Sequence, residues 1–204
     1  MGLVWGIDLG GTKVEGVICS SDNLSAPLVR ERIPTESELG YEHVLAQIQK
    51  LLQGMSHTLG AEAPSRIGFG TPGTLDPDRQ TLKNSNTLCL NGQPLKRDLE
   101  QLLGAEAVLS NDANCFALAE AVLGAGRNAR CVFGVIPGTG AGGGIAFDGE
   151  AWGGRQGNAG EWGHNPLLPG GAACYCGKSG CVEQKLSVSA TPLLGLEYHL
   201  FPGG

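Results

Sequence analysis

The stretch Leu3-Val4-Trp5-Gly6-Ile7-Asp8-Leu9-Gly10-Gly11-Thr12-Lys13-Val14-Glu15-Gly16-Val17-Ile18-Cys19 opens the sequence with two β-rich runs around a Gly-Gly-Thr turn. This pattern predicts a β-hairpin. The glycines would let backbone N–H groups approach a phosphate, while Thr12 adds a hydroxyl and Lys13 a positive charge. Asp8, at the end of the first run, could hold Mg²⁺ through water. Taken alone, such a loop is more often an ordinary hairpin turn.

A second hairpin of the same kind changes that balance. Residues 131–136 and 143–147 are β-rich and flank Gly138-Thr139-Gly140-Ala141-Gly142. This internal repeat predicts two related lobes that face each other across a cleft. Two such loops would hold a triphosphate from both sides. The residues predicted to bind the nucleotide phosphates and their metal are Asp8, Gly10, Gly11, Thr12, Lys13, Gly138, Thr139 and Gly140.

The segment between the two hairpins alternates strands and helices. A third strand is predicted over 28–33, and apolar residues at helical spacing predict a helix over 41–57. Short strands at 67–70 and 107–110 end in polar loops, and helices are predicted at 94–103 and 113–123. The chain therefore reads as an α/β protein with two lobes. We expect an N-terminal lobe at 1–112 and a C-terminal lobe at 113–204.

Composition limits the kind of partner. Lys and Arg number 14 against 20 Asp and Glu, a formal net charge of −6, which offers no basic surface for nucleic acid or anionic lipid. No secretory signal is recognisable at the N-terminus. No apolar run reaches the roughly 18 residues of a membrane helix. We expect a cytoplasmic protein with small-molecule partners, no nucleic acid and no membrane.

Asn111-Asp112 lies at a predicted strand-to-helix junction. One interpretation is a helix N-cap that binds orphan N–H groups. The other is a carboxylate that accepts the proton of a substrate hydroxyl, the positioning role that phosphoryl transfer requires. The junction alone favours the cap.

The most specific pattern is a histidine followed by three closely spaced cysteines. Glu161-Trp162-Gly163-His164 precedes Cys174-Tyr175-Cys176-Gly177-Lys178-Ser179-Gly180-Cys181. One imidazole and three thiolates form a tetrahedral zinc set, in which zinc would be structural. A disulfide framework is less favoured, because the seven cysteines are odd in number and no export signal is visible. The other histidines, His43, His57 and His199, have no evident partners.

These motifs, in this order, resemble the ROK family of repressors, open reading frames and kinases. The resemblance runs from Leu3 to Glu183. It rests on the two Gly-Thr loops, Gly70-Thr71-Pro72-Gly73, Asn111-Asp112-Ala113-Asn114-Cys115, the Glu161 to His164 motif and the Cys174 to Glu183 motif. It implies the actin-like ATPase, ribonuclease H-like fold. Family members continue well beyond the cysteine motif with a further adenosine-binding turn, so the second lobe is expected to be incomplete here.

The resemblance also implies roles for single residues. Asp112 would be the catalytic base that takes the proton of a hexose 6-hydroxyl as it attacks ATP. The sugar would be bound by Gly73, Asn86, Asn111, Asp112, Glu161, His164 and Glu183. Mg²⁺ would accompany ATP, and structural zinc would lie on His164, Cys174, Cys176 and Cys181. Full-length family members are commonly homodimers.

Within the family, residues 83–95 resemble the bacterial fructokinase and mannokinase branch, although Cys89 stands where that branch has tryptophan. Fructose is therefore the expected acceptor, with mannose second. A glucokinase or N-acetylglucosamine kinase of the same family is the alternative enzyme. An inactive truncated fragment is a further alternative. A transcriptional regulator is disfavoured because no DNA-binding segment precedes Leu3 and the net charge is negative.

Overall fold

The opening hairpin forms as predicted in the computed structural model, which describes residues 2–138 and 140–187. Strands β1 (Leu3–Leu9) and β2 (Lys13–Ser20) pair antiparallel, and β3 (Val29–Pro34) pairs with β2. Thr139 and residues 188–204, which include His199, lie outside the described residues.

Two parallel strands extend this sheet. Strands β4 (Arg66–Thr71) and β7 (Glu106–Asn111) complete a five-stranded sheet in the order β3-β2-β1-β4-β7. Parallel neighbours need a crossover, and helices α1 (Tyr41–Leu59) and α2 (Leu95–Leu103) provide it. The carboxyl ends of β1, β4 and β7 therefore meet at one edge of the sheet.

The apolar core lies between this sheet and the two helices. Alternate strand residues point toward α1 and α2, which bury their own apolar faces there. The largest fully buried side chains of this core are Trp5, Leu9, Ile18, Ile48, Leu51, Met55, Ile67, Phe69, Leu82, Leu90, Leu95 and Leu99. On the opposite face of the sheet Val4 and Val108 are 47% and 45% exposed. Within the described residues, helices thus cover one face of this sheet.

Helix α3 (Asp112–Val122) leads out of β7 and packs on a second sheet. Strands β8 (Cys131–Pro137), β9 (Ala141–Phe147) and β10 (Glu150–Ala151) form that sheet in the order β10-β9-β8. The β8–β9 hairpin is the predicted repeat of the β1–β2 hairpin. The predicted strand at 143–147 begins two residues earlier, because Ala141 already pairs with Pro137.

Smaller elements were not predicted from the sequence. Strands β5 (Thr74–Leu75) and β6 (Leu82–Lys83) form a two-stranded hairpin beside the strand ends, and α4 (Glu183–Leu186) is a single helical turn. Elements this short carry too few residues for a periodic pattern. No described helix is long and apolar enough to cross a membrane.

Glycine allows the close contact between α3 and β9. A Cβ at Gly144 would lie 2.8 Å from Asn114 Cα and would also meet the carbonyl of Ala113. We expect Gly144→Ala to lower the free energy of unfolding by about 1–3 kcal/mol, because backbone cannot yield as a flexible side chain can. Gly68→Ala is the matched strand control, since its Cβ would meet only the Trp5 carbonyl at 3.7 Å.

Urea unfolding of both variants checks this expectation. Equal midpoints for Gly144→Ala and Gly68→Ala would show that α3 and β9 do not approach so closely.

Candidate active site and metal centre

The first Gly-Thr loop is held in place by the segment that follows β3. Thr35 Oγ1 donates to the carbonyl of Gly10 at 2.7 Å, and Ser37 Oγ donates to that of Gly11 at 2.8 Å. The backbone N–H of Thr35 donates to the Thr12 carbonyl at 3.0 Å. In a trans peptide the N–H points away from the preceding carbonyl. The N–H groups of Gly11, Thr12 and Lys13 therefore point away from this segment.

A strained glutamate anchors the segment between Thr35 and Ser37. Glu36 adopts the left-handed conformation, with φ 52°, which is unusual for a non-glycine residue. Its Oε2 contacts His43 Nε2 at 2.7 Å and accepts from Gln47 Nε2 at 2.8 Å. The expectation that His43 has no partner is therefore wrong. These side chains converge because the turn brings the start of α1 back over residue 36.

Asp8 and Asp112 meet at the carboxyl edge of the first sheet. Asp8 is the second-last residue of β1 and lies beside Gly70 of β4, and Asp112 follows β7. Burial raises the pKa of the Asp8 carboxyl, and the charge of Glu15 raises it further. Burial likewise raises the pKa of Asp112, against the Ala113 N–H that lowers it and with the Asp8 charge adding to the rise. The charge of Asp8 thus acts on Asp112 across the strand ends.

Both readings of the Asn111-Asp112 junction find support in the geometry. Asn111 is the N-cap, because its side chain accepts from the Asn114 N–H at 3.2 Å. Its Nδ2 donates to Asp112 Oδ1 at 3.1 Å and to the Gly73 carbonyl at 3.3 Å. Asn111 takes the capping role, and Asp112 Oδ1 accepts from the Asn111 amide and from the Ala113 N–H at 2.8 Å, so Oδ2 is the oxygen of Asp112 that is available for a ligand.

Two further predicted sugar ligands, Glu161 and Gly73, lie near Asp112, and Asn86 lies near the first Gly-Thr loop. Burial raises the pKa of Glu161, and the charges of Asp112 and Glu183 raise it further while His164 opposes them. Gly73 takes φ 85°, and a Cβ there would lie 2.8 Å from the Ser85 N–H, so glycine is required at this turn. The exposed residue Asn86 adjoins Thr87, whose hydroxyl would lie 2.8 Å from a Cβ at Gly11.

The second loop contacts the last of these carboxylates. Gly138 N–H donates to the Gly140 carbonyl at 2.8 Å. Ala141 N–H donates to Glu183 Oε2 at 3.1 Å, and Glu183 is only 9% exposed. Glu183 therefore links the second loop to the helical turn that follows the cysteine motif.

The cysteine motif brings its four donor side chains together. One ligand atom from each of His164, Cys174, Cys176 and Cys181 lies within 4.8 Å of every other. Cys176 Sγ and Cys181 Sγ are 3.7 Å apart, and Cys174 Sγ is 3.6 Å from His164 Nδ1. Around a tetrahedral zinc ion, bond lengths of about 2.3 Å to sulfur and 2.0–2.1 Å to nitrogen give edges of about 3.8 and 3.6 Å. The donor set fits zinc.

The pKa values of the thiols also bear on the binding of a cation. The Cys176 N–H is the largest influence that lowers the pKa of Cys174, to about 7, so its thiolate is accessible near neutral pH. Burial, together with hydrogen bonds and charges of the neighbouring Cys176 and Cys174, raises the pKa of Cys181 to about 11. A bound cation would favour the thiolate and oppose that rise.

Several residues of the site escaped sequence reasoning. Thr35, Ser37 and Glu36 support the first loop from a segment with no motif of its own. Asn114 lines, with Asn111, a cavity of about 220 Å³ next to Asp112. Its Oδ1 is buried without a hydrogen-bond partner in the described residues. The repeat of Asn at positions 111 and 114 was the only available signal.

The chain is similar to known proteins over most of its length. The ROK family profile matches residues 4–192. An N-acetyl-D-glucosamine kinase of Aliivibrio fischeri is 36% identical, across 97% of this chain and 67% of that enzyme. The corresponding kinase of Pectobacterium atrosepticum is 36% identical, across 91% and 62%.

Solved structures agree with this assignment. A ROK hexokinase of Thermus thermophilus superposes with a TM-score of 0.79 at 34% identity, covering 95% of this chain and 64% of that one. A ROK glucokinase of Streptomyces griseus, solved with glucose and AMPPNP, gives 0.78 at 33% identity, covering 93% and 58%. The chain thus spans about two thirds of the length of these relatives. The expected actin-like ATPase fold is confirmed, its relatives include sugar phosphotransferases, and the chain belongs to the ROK family.

Proposed function

We propose that the protein transfers the γ-phosphoryl group of ATP to the 6-hydroxyl of a hexose, with Asp112 as the base. The observation that carries this proposal is the position of Asp112. Its carboxylate follows β7 at the same sheet edge as Asp8 and the first Gly-Thr loop. A sugar hydroxyl bound at Asp112 would thus lie beside Asp8 and the first Gly-Thr loop, whose groups can bind phosphate and its metal.

Asp112 would align the sugar hydroxyl and accept its proton. Its burial and the neighbouring Asp8 charge raise its pKa, which makes it a better proton acceptor than an exposed aspartate. The carboxylate has to be ionised to accept this proton, as an ordinary aspartate is at neutral pH. Asn111 holds it from the side through its amide N–H. General base catalysis of this kind contributes about 10²–10⁴ in rate.

The two Gly-Thr loops would hold the phosphates. In the first loop the N–H groups of Gly11, Thr12 and Lys13 point away from the Thr35 and Ser37 groups that bind the preceding carbonyls. Backbone N–H groups arranged in this way bind anions, and Lys13 adds charge. Gly138, Thr139 and Gly140 would act from the facing lobe, across a cleft between 1–112 and 113–204. Mg²⁺, a hard cation that suits the Asp8 carboxylate, would neutralise phosphate charge.

The sugar would bind between the lobes. Glu161 and Glu183 offer carboxylate acceptors, His164 offers a ring nitrogen, and Asn86 and Asn111 offer amides. Hydroxyl groups need such mixed donors and acceptors. The Gly73 turn would form the wall of the pocket, since its carbonyl already orients Asn111.

The acceptor we favour is N-acetylglucosamine. The relatives from Aliivibrio fischeri and Pectobacterium atrosepticum that carry this name are each 36% identical to the chain. Fructose, expected from residues 83–95 alone, becomes the second candidate, because that run is short and Cys89 departs from its pattern.

Zinc would brace the wall that presents His164 and Glu183. The tetrahedral edges and the lowered Cys174 pKa support zinc on His164, Cys174, Cys176 and Cys181. All four positions would be filled by the protein, which is typical of a structural site. A homodimer stays a prediction.

Asp112→Asn tests the base. We expect turnover to fall about a hundredfold or more, because an amide cannot accept the proton. Sugar affinity should change only a few fold, since the amide keeps most hydrogen bonds. Steady-state phosphorylation and calorimetric sugar binding measure the two effects.

Asp148→Asn is the matched control, because Asp148 pairs with Arg130 on the surface at 3.2 Å. If Asp112→Asn kept most of its turnover, Asp112 would be a structural residue and not the base.

Competition between acceptors tests the sugar. We expect kcat/KM for N-acetylglucosamine to exceed that for fructose by at least tenfold, a difference of about 1.4 kcal/mol in transition-state binding. Phosphorylation assays with each sugar alone and in mixture measure it. A preference for fructose would return the assignment to the fructokinase branch.

Metal analysis tests the cysteine site. We expect about one zinc per chain, and its loss in Cys174→Ser, because a hydroxyl is a poor substitute for a thiolate. Cys131→Ser is the control, since Cys131 is exposed at the start of β8. Zinc retained in Cys174→Ser, or absent from the unaltered protein, would contradict the assignment.

A further inference from the structure

Gln47 is a polar side chain among the buried apolar residues of α1, and its bonds lead toward the first Gly-Thr loop. The residue is only 7% exposed. Its Nε2 donates to the Pro34 carbonyl at 3.0 Å and to Glu36 Oε2 at 2.8 Å. A buried amide is costly unless it is hydrogen-bonded, and the two acceptors match its two N–H donors. Gln47 therefore fixes the residues on either side of Thr35.

Thr35 passes this restraint on to the loop. Its side chain is fully buried, and its hydroxyl donates to the Gly10 carbonyl at 2.7 Å. Its backbone N–H donates to the Thr12 carbonyl at 3.0 Å, and Ser37 Oγ donates to the Gly11 carbonyl at 2.8 Å. Three successive carbonyls of the loop thus accept hydrogen bonds from the same short segment.

The loop needs support from outside because glycine occupies its first two positions. A Cβ at Gly10 would lie 2.9 Å from the Lys13 carbonyl, and a Cβ at Gly11 would lie 2.8 Å from Thr87 Oγ1. These close approaches require glycine, which has the widest choice of backbone conformations. The hydrogen bonds from residues 35 and 37 therefore determine which conformation the loop adopts.

We propose that Gln47 and Thr35 are positioning residues for the phosphates of ATP, which act by holding the first Gly-Thr loop in its phosphate-binding conformation. The proposal rests on the proposed function, which assigns ATP phosphates to this loop. Neither side chain touches the nucleotide in this arrangement. Gln47 acts through Pro34 and Glu36, and Thr35 acts through the carbonyl of Gly10.

Loss of either restraint should weaken the binding of ATP more than the binding of sugar. A loop released from one bond adopts other conformations, and the apparent affinity falls by the fraction of molecules that stay competent to bind. The proposed sugar ligands lie outside the segment 34–37. The affinity for the sugar therefore depends much less on these two bonds.

Thr35→Val and Gln47→Met test the two restraints, because each removes the hydrogen-bonding group and keeps a side chain of similar size. We expect the dissociation constant for ATP to rise roughly three- to tenfold in each variant, since the net contribution of one hydrogen bond corresponds to such a factor. The dissociation constant for N-acetylglucosamine should change less than about twofold. Calorimetry with each ligand measures both, and steady-state assays should show a higher KM for ATP at nearly unchanged kcat.

Three further variants serve as controls. Thr35→Ser keeps the hydroxyl and should bind ATP nearly as the unaltered protein does. Thr58→Val and Gln53→Met repeat the two substitutions farther along α1, where Thr58 donates to Glu31 and Gln53 is exposed. Both should leave the affinity for ATP unchanged.

The pattern of affinities decides the matter. Weaker ATP binding with unchanged sugar binding in Thr35→Val and Gln47→Met supports the proposal, and either variant suffices if the other does not fold. Unchanged ATP binding overturns it, as does an equal fall in both affinities, which would indicate a general loss of structure. ATP binding in Thr35→Ser as weak as in Thr35→Val would also contradict it. If the unaltered protein bound no ATP, the proposed function itself would fail, and this inference with it.

Discussion

The close approach of α3 to β9 is the constraint on which the site depends. Helix α3 starts at Asp112, directly after a strand of the first sheet, and packs against the second sheet where Gly144 leaves room for its backbone. This single contact holds the proposed base at the boundary between the two sheets. A larger residue at 144 would move the helix start, and Asp112 with it.

The charge of the carboxyl groups near the strand ends gives the candidate site its chemical character. Asp8, Asp112 and Glu161 all have raised pKa values, because burial disfavours ionisation and each carboxylate adds to the cost of its neighbour. A carboxyl whose folded pKa lies above the unfolded one destabilises the fold when ionised, so the cost is present at neutral pH and disappears in acid. Cations and hydroxyl-rich ligands relieve the same repulsion, which explains why such groups gather at binding sites.

The cysteine motif and the second loop act as one unit. Glu183 follows the last cysteine and accepts the Ala141 N–H, while His164 belongs at once to the thiol cluster and to the proposed sugar wall. An ion bound by His164 and the three cysteines would therefore also help to position the Glu183 carboxylate next to the second Gly-Thr loop. Outer groups of this kind usually set the orientation of metal ligands.

The sequence by itself determined the strand–loop–strand repeats, the long helices and the ROK family. Glycine turns and periodic apolar residues are local, and the spacing of Cys174, Cys176 and Cys181 limits what they can bind. The sequence did not reveal the bonds from Thr35 and Ser37 to the first loop or the Glu36–His43 pair. Those contacts join residues that only the tertiary structure brings together, because hydrogen-bond partners are selected by distance in space and leave no periodic pattern along the chain.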